Sequence, residues 1–340
     1  MAPNVLLLLE NHALGGVTTI CRALALALQR QGWRVEMVSL AESGWRQLFA
    51  SARRCDVILA SHNFRPAYVG WGLGRMLGKP TVVWFHGPVQ EVLALSAASP
   101  LKRAWLRFFY ARLKLMVFVS EQSRLSLRRF LGQQVRPGAD LSVVANAVHT
   151  ATIAPAAPRE GRIDESSRVR LAFVGRLSAQ KHPELLLEVL RRLPRKYELT
   201  LLGDGPLLSE LQQLGQDLLQ AGRLAFGGAR PHGPDLYRGW DLTLMTSRYE
   251  GYPMSVLESI SAGVPCVGVP IGPLREMLGD DAPYLLARDA CAEAIAQTVL
   301  AVCAMPRRRL QADMERVLAR HRMEDFVGRW ERLLSSAAGR

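Results

Sequence analysis

The chain has 340 residues, of which 49% are hydrophobic and 21% charged, a globular composition long enough for two ordinary domains. Its five cysteines contain no C-x-x-C pair and no apolar run reaches the roughly 18 residues of a membrane span, so we expect a reducing, cytoplasmic setting and a soluble or peripheral protein. The net charge is +13, and residues 1–160 carry 19 basic against 8 acidic side chains, so the first half is expected to face any anionic partner.

Short β-rich runs alternate with amphipathic segments of helical length along the whole chain. The first half contains six such runs, at residues 4–9, 33–40, 56–61, 81–86, 115–120 and 141–146. The second half contains five, at residues 169–175, 197–203, 224–228, 241–246 and 265–270. This alternation predicts an α/β protein with two doubly wound, Rossmann-like domains, each built on a parallel sheet.

The alternation is interrupted once, by the segment HTATIAPAAPREGRIDESSR at residues 149–168, which is rich in proline, alanine and charge. A composition of this kind is typical of an interdomain linker. We therefore predict an N-terminal domain over residues 1–150, a linker over 151–168 and a second domain over 169–322. In open parallel sheets ligands bind beyond the carboxyl ends of the strands, so the loops at those ends are the ones to examine.

The loop RYEGYPMSVLES, residues 248–259, follows a predicted strand and leads into a predicted helix. Glu250 lies in the loop and Glu258 inside the helix, while Gly251 permits a close approach of backbone to ligand and Pro253 suits a helix start. The free backbone N–H groups that would form an anion site there belong to Met254, Ser255 and Val256. Two carboxylates can each accept hydrogen bonds from a diol, and a nucleotide sugar has a diol at each end. The alternative is that Glu250 caps the helix and Glu258 is solvated.

Two further loops carry groups suited to phosphate. In FVGRLSAQK, Arg176 follows a predicted strand and Lys181 lies at a predicted helix start, so the two cations could neutralise a pyrophosphate or could be ordinary surface charges. Gly15 and Gly16, in the first loop, could cradle phosphate or sugar. No G-x-G-x-x-G follows a strand, which disfavours a nicotinamide dehydrogenase.

His86, at the end of the run TVVWFH, is the best placed of the seven histidines for a role in a ligand cleft. A lone histidine at a strand end is more often structural, and both interpretations stay open. The sequence has no H-E-x-x-H and no D-x-D, so neither a metal site nor a cofactor is expected.

The segment SPLKRAWLRFFYARLKL, residues 99–115, combines five cations with four aromatic residues. On a helical wheel the basic side chains and the apolar side chains fall on opposite faces. The segment could be an interfacial membrane helix, or a helix that covers the sheet with its basic face in solvent, which is the interpretation we favour. If it does meet an anionic membrane, the expected contacts are Lys102, Arg103, Trp105, Arg107 and Lys114.

Four motifs occur in order over residues 173–267: FVGR with its following lysine, LLGDGP, F-x-G and EGYPMSVLESISAGVPCV. Together with GGVTT, His86 and VVANAV in the first half, they resemble the retaining glycosyltransferases of family four, which have the GT-B fold. The resemblance implies metal-independent transfer of a sugar from a nucleotide diphosphate sugar to a hydroxyl, with retention of configuration. It also implies that the final run, within residues 323–340, is a helix that crosses back to the first domain.

The resemblance further implies roles for single residues. Glu250 would contact the donor sugar and, with His86, is a candidate catalytic residue; Glu258 would hold the ribose. Arg176 and Lys181 would lie at the diphosphate. The remaining donor contacts that it implies are Gly15, Gly16, Gly228, Ala229, Arg230, Gly251, Tyr252, Pro253, Met254, Ser255 and Val256.

The function expected from the resemblance is assembly of lipopolysaccharide, exopolysaccharide or glycolipid. The expected partners are a nucleotide sugar donor, a glycan or glycolipid acceptor and an anionic membrane surface at the inner face of the cell membrane. The alternative enzyme class is a sugar-nucleotide epimerase of the same fold. A nucleic-acid partner is disfavoured, because no recognised binding module accompanies the basic half.

Overall fold

The computed structural model describes residues 3–11, 15–148, 161–230 and 233–339. The chain forms two compact units: Met1–Ala147 together with Met323–Arg340, and Val148–Arg322. We call them the first unit and the second unit. Most of the predicted linker, up to residue 160, lies outside the described residues. Its last part packs on the second unit, where Ile163 is buried and its N–H donates to the Cys303 carbonyl at 3.0 Å.

The first unit is built on a six-stranded parallel sheet in the order β2-β1-β3-β4-β5-β6. Its strands are β1 (Asn4–Leu9), β2 (Arg34–Ser39), β3 (Val57–Ala60), β4 (Thr81–Phe85), β5 (Leu115–Phe118) and β6 (Asp140–Val143). The central strands are covered on both faces, which is why they read as continuous apolar runs rather than alternating ones.

Helices lie between successive strands of this sheet. They are α1 (Gly16–Arg30), α2 (Trp45–Arg54), α3 (Arg65–Leu77), α4 (Val89–Leu95), α5 (Pro100–Tyr110) and α6 (Glu121–Leu131). The helix predicted within residues 99–115 is shorter than expected, because α5 starts at Pro100 and ends at Tyr110. The Ser99 hydroxyl caps its start by accepting the Lys102 N–H.

The orientation expected for α5 is wrong. The helix contacts the core through Leu106, Phe109 and Tyr110, which are all buried. Tyr110 is held there because its hydroxyl donates to the Asn63 carbonyl at 2.8 Å. The face that we expected to cover the sheet is mostly in solvent instead, because only one stripe of so short a helix can reach the core.

The second unit is built on a five-stranded parallel sheet in the order β11-β10-β7-β8-β9. Its strands are β7 (Val169–Val174), β8 (Tyr197–Leu202), β9 (Leu224–Phe226), β10 (Leu242–Met245) and β11 (Cys266–Gly268). Its helices are α7 (Glu184–Arg192), α8 (Leu208–Leu214), α9 (Gln216–Gln220), α10 (Met254–Ser261), α11 (Gly272–Leu278), α12 (Ala292–Cys303) and α13 (Arg307–Ala319). The predicted α/β class with two doubly wound parallel sheets is confirmed.

The order of the second sheet places one pair of loops together. Successive strands β7, β8 and β9 extend the sheet to one side, whereas β10 returns to pair with the other edge of β7. Such a reversal opens a crevice at the carboxyl ends of the two strands, and this is where ligands bind in open α/β sheets. The loops that start at residues 175 and 246 meet at this crevice.

The last helix, α14 (Met323–Ala337), belongs to the first unit. Its Trp330 is fully buried, with the ring 4.6 Å from that of Trp84 on β4. The Trp33 indole N–H also reaches Glu331 at 3.4 Å. The chain therefore leaves the first unit after Ala147 and returns to it at Met323.

Candidate functional site

The loops after β7 and β10 are joined by a set of hydrogen bonds in the second unit. The Arg248 N–H donates to the Gln180 carbonyl at 2.8 Å, and the Gln180 side chain donates back to the Tyr249 carbonyl at 3.2 Å. The Thr246 hydroxyl donates to the Lys181 carbonyl at 2.9 Å. These bonds fix the backbone on both sides of the crevice, so the side chains that follow are held in a defined place.

Lys181 and Glu250 meet across that crevice. The lysine Nζ lies 2.5 Å from Glu250 Oε1, and the two side chains are only 19% and 8% exposed. Glu250 is therefore paired with a cation and does not cap α10, whose N-cap is Pro253 without a side-chain capping bond. Lys181 lies in the turn ahead of α7, not at the helix start we expected, because α7 begins at Glu184.

Glu258 lies inside α10 and is only 6% exposed, so a solvated role for it is wrong. The Tyr237 hydroxyl donates to Glu258 Oε2 at 2.9 Å. Burial raises the pKa of Tyr237 well above its usual range, and the neighbouring Glu258 charge raises it further, so the phenol stays protonated and keeps donating. The sequence contains no signal for this pair, because the two residues are 21 positions apart in different elements.

The N-terminus of α10 offers fewer free donors than expected. The Val256 N–H donates to the Pro253 carbonyl at 3.2 Å, so its predicted part in an anion site is wrong. Within the described residues, the N–H groups of Met254 and Ser255 have no such partner and lie one residue apart at the start of the helix. Two backbone donors with the positive end of a helix dipole remain available to an anion.

Glycines let the loops after β7 and β8 approach closely. A Cβ on Gly203 would lie 1.8 Å from the Gly175 carbonyl oxygen, and one on Gly205 would lie 2.2 Å from the Leu177 carbonyl oxygen. The Leu177 N–H also donates to the Asp204 carbonyl at 2.9 Å. The GDG turn thus supports the backbone next to Arg176, whose side chain is exposed at the crevice edge.

The remaining second-unit candidates lie on two loops. Gly251 and Tyr252 are buried beside Glu250. The predicted base-contacting residues after β9 are exposed, and the Arg230 Nε donates to the Gly227 carbonyl at 3.2 Å. The exposed residues of that loop are Gly228, Ala229 and Arg230.

In the first unit, His86 follows β4 and has a second histidine beside it. The His62 and His86 ring centroids are 5.7 Å apart, and the Trp84 ring lies 4.3 Å from His86. His86 Nε2 is buried without a hydrogen-bond partner in the described part of the chain. Burial lowers the pKa of His86 well below its usual value, with His62 lowering it further, and burial also lowers the pKa of His62. Both rings are therefore neutral near pH 7.

Sequence reasoning missed His62, although a signal was present. The residue follows β3 as His86 follows β4, and β3 and β4 are neighbouring parallel strands. The glycine loop lies in the same unit: Gly15 is the N-cap of α1 and Gly16 its first residue, while the three residues before Gly15 lie outside the described ranges. A Cβ on Gly15 would meet nothing within 4 Å, so space is open beside it.

In the residues that the structure describes, no group of three or more histidine, cysteine, aspartate or glutamate side chains is placed to hold a metal ion. No helix in the described ranges is both long and apolar enough to cross a lipid bilayer.

Known families match both parts of the chain. Residues 42–152 match the family described as Glycosyltransferase Family 4, and residues 158–316 match the family described as Glycosyl transferases group 1. Between them the two matches cover most of the chain. The chain belongs to these glycosyltransferases.

Two curated relatives of the glycosyltransferase come from Escherichia coli. UDP-Gal:alpha-D-GlcNAc-diphosphoundecaprenol alpha-1,3-galactosyltransferase is 27% identical over 225 residues, which are 62% of this chain and 57% of the relative. Lipopolysaccharide 1,6-galactosyltransferase of strain K12 is 30% identical over 139 residues, which are 37% of this chain and 36% of the relative. The chain thus spans less than two thirds of either relative.

The solved structures extend the likeness in fold over nearly the whole chain. Anabaena Alr3699/HepE, crystallised with UDP and glucose, aligns with a TM-score of 0.78 over 98% of this chain and 100% of that one, at 17% identity. The predicted GT-B fold is confirmed by this likeness. At such low identity the match establishes the fold and not the role of any single residue.

The Tyr237 hydroxyl is expected to stabilise the glycosyltransferase through Glu258. Tyr237→Phe removes a donor from a buried carboxylate and should lower the free energy of unfolding by about 2 kcal/mol in urea titrations. In the Glu258→Gln background the same substitution should cost at least about 1 kcal/mol less, because the charged acceptor is gone. Equal costs in the two backgrounds would contradict the proposed bond.

The neutral histidine pair makes the first unit sensitive to acid. Its two pKa values are lowered on folding from 6.5, so the unfolded chain binds more protons below that pH and the free energy of unfolding falls as the pH drops. We expect the urea concentration at the unfolding midpoint of wild type to fall as the pH is lowered from about 7.5 to about 5.5. The same midpoint should fall less steeply in His62→Phe. Identical pH profiles would show that His62 does not titrate as inferred.

Proposed function

We propose that this chain transfers a glycosyl group from a nucleotide diphosphate sugar to a hydroxyl of a glycan or lipid-linked acceptor, with retention of configuration. The observation that carries the proposal is the pair of buried glutamates at the crevice of the second sheet, each held by a partner. Lys181 lies 2.5 Å from Glu250, and Tyr237 lies 2.9 Å from Glu258. The two carboxylates flank the free N–H groups at the start of α10.

The donor is assigned by matching charges and hydroxyl groups. Glu258 is the ribose contact, because a carboxylate whose other side is held by Tyr237 can accept hydrogen bonds from the two ribose hydroxyls. The diphosphate lies between Arg176, Lys181 and the first N–H groups of α10, which together supply positive charge and hydrogen-bond donors. Glu250 then accepts hydroxyl groups of the transferred sugar. The loop from Gly228 to Arg230 is the candidate base contact.

The reaction follows from these positions. The bond between the anomeric carbon and the phosphate oxygen breaks, a bond to the acceptor oxygen forms on the same face, and the acceptor proton passes to the leaving phosphate oxygen. Charge that develops on that phosphate is stabilised by Arg176 and Lys181. Glu250 orients the sugar and is not the nucleophile. His86, neutral at pH 7, is a candidate hydrogen-bond partner for the sugar in the first unit.

UDP-hexoses are the first donors to test. The relatives named above are galactosyltransferases, one of them named for UDP-Gal, and the Anabaena structure contains UDP. The acceptors in their names, a diphosphoundecaprenol-linked sugar and lipopolysaccharide, support a glycolipid acceptor here. Assembly of a cell-surface glycan is the process that this combination serves.

The two glutamates should affect different kinetic constants. In assays with UDP-galactose, UDP-glucose and a polyprenyl-diphosphate-linked sugar, Glu258→Gln should raise the donor KM at least about tenfold, because ribose binding is weakened. Glu250→Gln should lower kcat about a hundredfold, because the sugar is no longer oriented. The matched control is Asp217→Asn, which alters a carboxylate in the exposed Arg191 ion pair and should leave both constants unchanged.

Two outcomes would count against the proposed transfer. Normal kinetics in both glutamate variants would remove the site from the reaction. Conversion of the donor sugar to an epimer without acceptor, and no transfer in its presence, would identify the epimerase alternative instead.

A membrane surface is the partner proposed for α5. Three large apolar side chains of this helix point into solvent: Leu101 is 81% exposed, Trp105 54% and Phe108 50%. We call these three residues the α5 stripe; their spacing of four and three positions puts them on one helix face. The Trp105 and Phe108 rings stack at 5.8 Å, which presents one continuous aromatic surface.

Positive charge borders the α5 stripe. Lys102 is exposed beside it, and the Arg112 guanidinium lies 3.2 Å from the Phe108 ring centroid. Aromatic residues flanked by cations suit the interface of an anionic bilayer, where the ring is buried at headgroup depth and the cation meets lipid phosphate. We therefore place the enzyme as a peripheral protein on the inner face of the cell membrane.

The five expected membrane contacts are not equally available to lipid. Lys102 and Trp105 are exposed, whereas Arg103 donates to the Ala98 and Leu93 carbonyls and Arg107 to the Phe130 carbonyl. Lys114 lies beyond the end of α5. The contact is therefore carried mainly by the apolar stripe, and less by the basic face predicted from the helical wheel.

Vesicle flotation tests this partner. Wild type should float with vesicles containing phosphatidylglycerol at low salt, and Trp105→Ser/Phe108→Ser should reduce the bound fraction at least about tenfold, since two interfacial aromatic groups are lost. The control is Trp45→Ser, which removes a tryptophan of the same unit that is 71% exposed but lies on α2. Failure of wild type to float, or equal losses in the control, would exclude α5 as the membrane contact.

A further inference from the structure

Tyr252 lies two residues after Glu250 in the loop of residues 247–256, which we call the donor loop, and its hydroxyl contacts a histidine from a distant part of the chain. Tyr252 is only 6% exposed, and its hydroxyl is 2.5 Å from Nε2 of His321, which is itself 4% exposed. The two residues are 69 positions apart, and the reaction proposed above uses neither the Tyr252 hydroxyl nor the His321 imidazole. A buried polar contact between them therefore needs its own explanation.

The partners of His321 determine how its ring is used. Nδ1 lies 2.7 Å from the Val317 carbonyl oxygen, which can only accept, so in the neutral ring Nδ1 carries the proton. Nε2 is then an acceptor, and the Tyr252 hydroxyl is its donor. The imidazole is thus held at both nitrogens, one by α13 and one by the donor loop, and cannot rotate without losing a buried hydrogen bond.

The main chain of His321 makes a second connection. Its carbonyl accepts the Val148 N–H at 3.1 Å, and Val148 forms a parallel bridge with Arg322. Val148 and Arg322 are the first and last residues of the second unit, where the chain enters and leaves it. His321 therefore contacts the donor loop through its ring and Val148 through its backbone.

We infer that His321 is a positioning residue that holds the donor loop through Tyr252 and couples that loop to Val148, the residue at which the second unit begins. The inference rests on the proposed function for its relevance to donor binding. The coupling of residues 247–256 to Val148 concerns the ligand-free protein as well. Because the loop carries Glu250 and leads into the α10 N-terminus, a shift of Tyr252 moves the groups proposed to bind sugar and phosphate.

Hydrogen–deuterium exchange of the ligand-free full chain tests the coupling. Tyr252→Phe and His321→Leu should each speed amide exchange about tenfold both in the donor loop and at Val148, because one shared contact is lost. The control is Tyr284→Phe, which removes a tyrosine hydroxyl bonded to Asp313 at 2.6 Å in the same unit. It should leave both segments unchanged. Faster exchange in only one of the two segments, or in both with the control, would overturn the coupling.

Kinetics with UDP-galactose and UDP-glucose then test the positioning role. Tyr252→Phe and His321→Leu should raise the donor KM about five- to twentyfold with a smaller change in kcat, whereas a merely structural loss would lower the active fraction and leave KM unchanged. His321→Gln, whose amide oxygen can accept from Tyr252, should restore most of the wild-type KM.

A double variant separates one shared bond from two independent effects. Tyr252→Phe/His321→Leu should be no worse than the more affected single variant, and additive losses would overturn the inference. If wild type turns over neither donor, the proposed function fails with these donors, and the exchange measurement still decides whether His321 couples the donor loop to Val148.

Discussion

The buried ion pair between Lys181 and Glu250 is the contact on which the candidate site depends. Two charges with little exposure are stable only if each has a partner in good geometry, because either alone would lose its hydration without compensation. The pair exists because β10 returns to the edge of β7 and brings two loops, 69 residues apart, to one crevice. Hydrogen bonds from Thr246, Arg248 and Gln180 then keep both loops at that spacing.

The same arrangement supports each group of the site from outside its own motif. Glu250 is held by Lys181, Glu258 by Tyr237, and the loop between them by His321 through Tyr252. Groups held in advance do not have to reorganise when charge develops on a substrate, which is how fixed dipoles and charges become effective in catalysis. The short segment from Glu250 to Glu258 therefore owes its geometry to residues that are distant in sequence.

In the first unit, the buried titratable groups and the surface differ in charge. Its interior histidines, His62 and His86, are kept neutral by burial at the ends of neighbouring strands, whereas its surface carries the excess positive charge. A single exposed apolar side chain is common on a folded monomer. Three of them on one face of α5 form a contiguous apolar surface, which is typical of a contact with a partner or a membrane. Basic residues next to that surface favour an anionic one.

Sequence patterns predict the eleven parallel strands of the described ranges, the two-sheet class, and the placement of Glu250 in a loop and Glu258 in a helix. Buried strands, strand-end loops and helix starts can be predicted because each depends on residues that are contiguous in sequence. The buried side of α5, the free N–H groups of α10 and the contacts of Tyr237, His62 and His321 become visible only in the folded chain. Those outcomes depend on contacts between residues that lie tens of positions apart, and such contacts leave no local pattern in the chain.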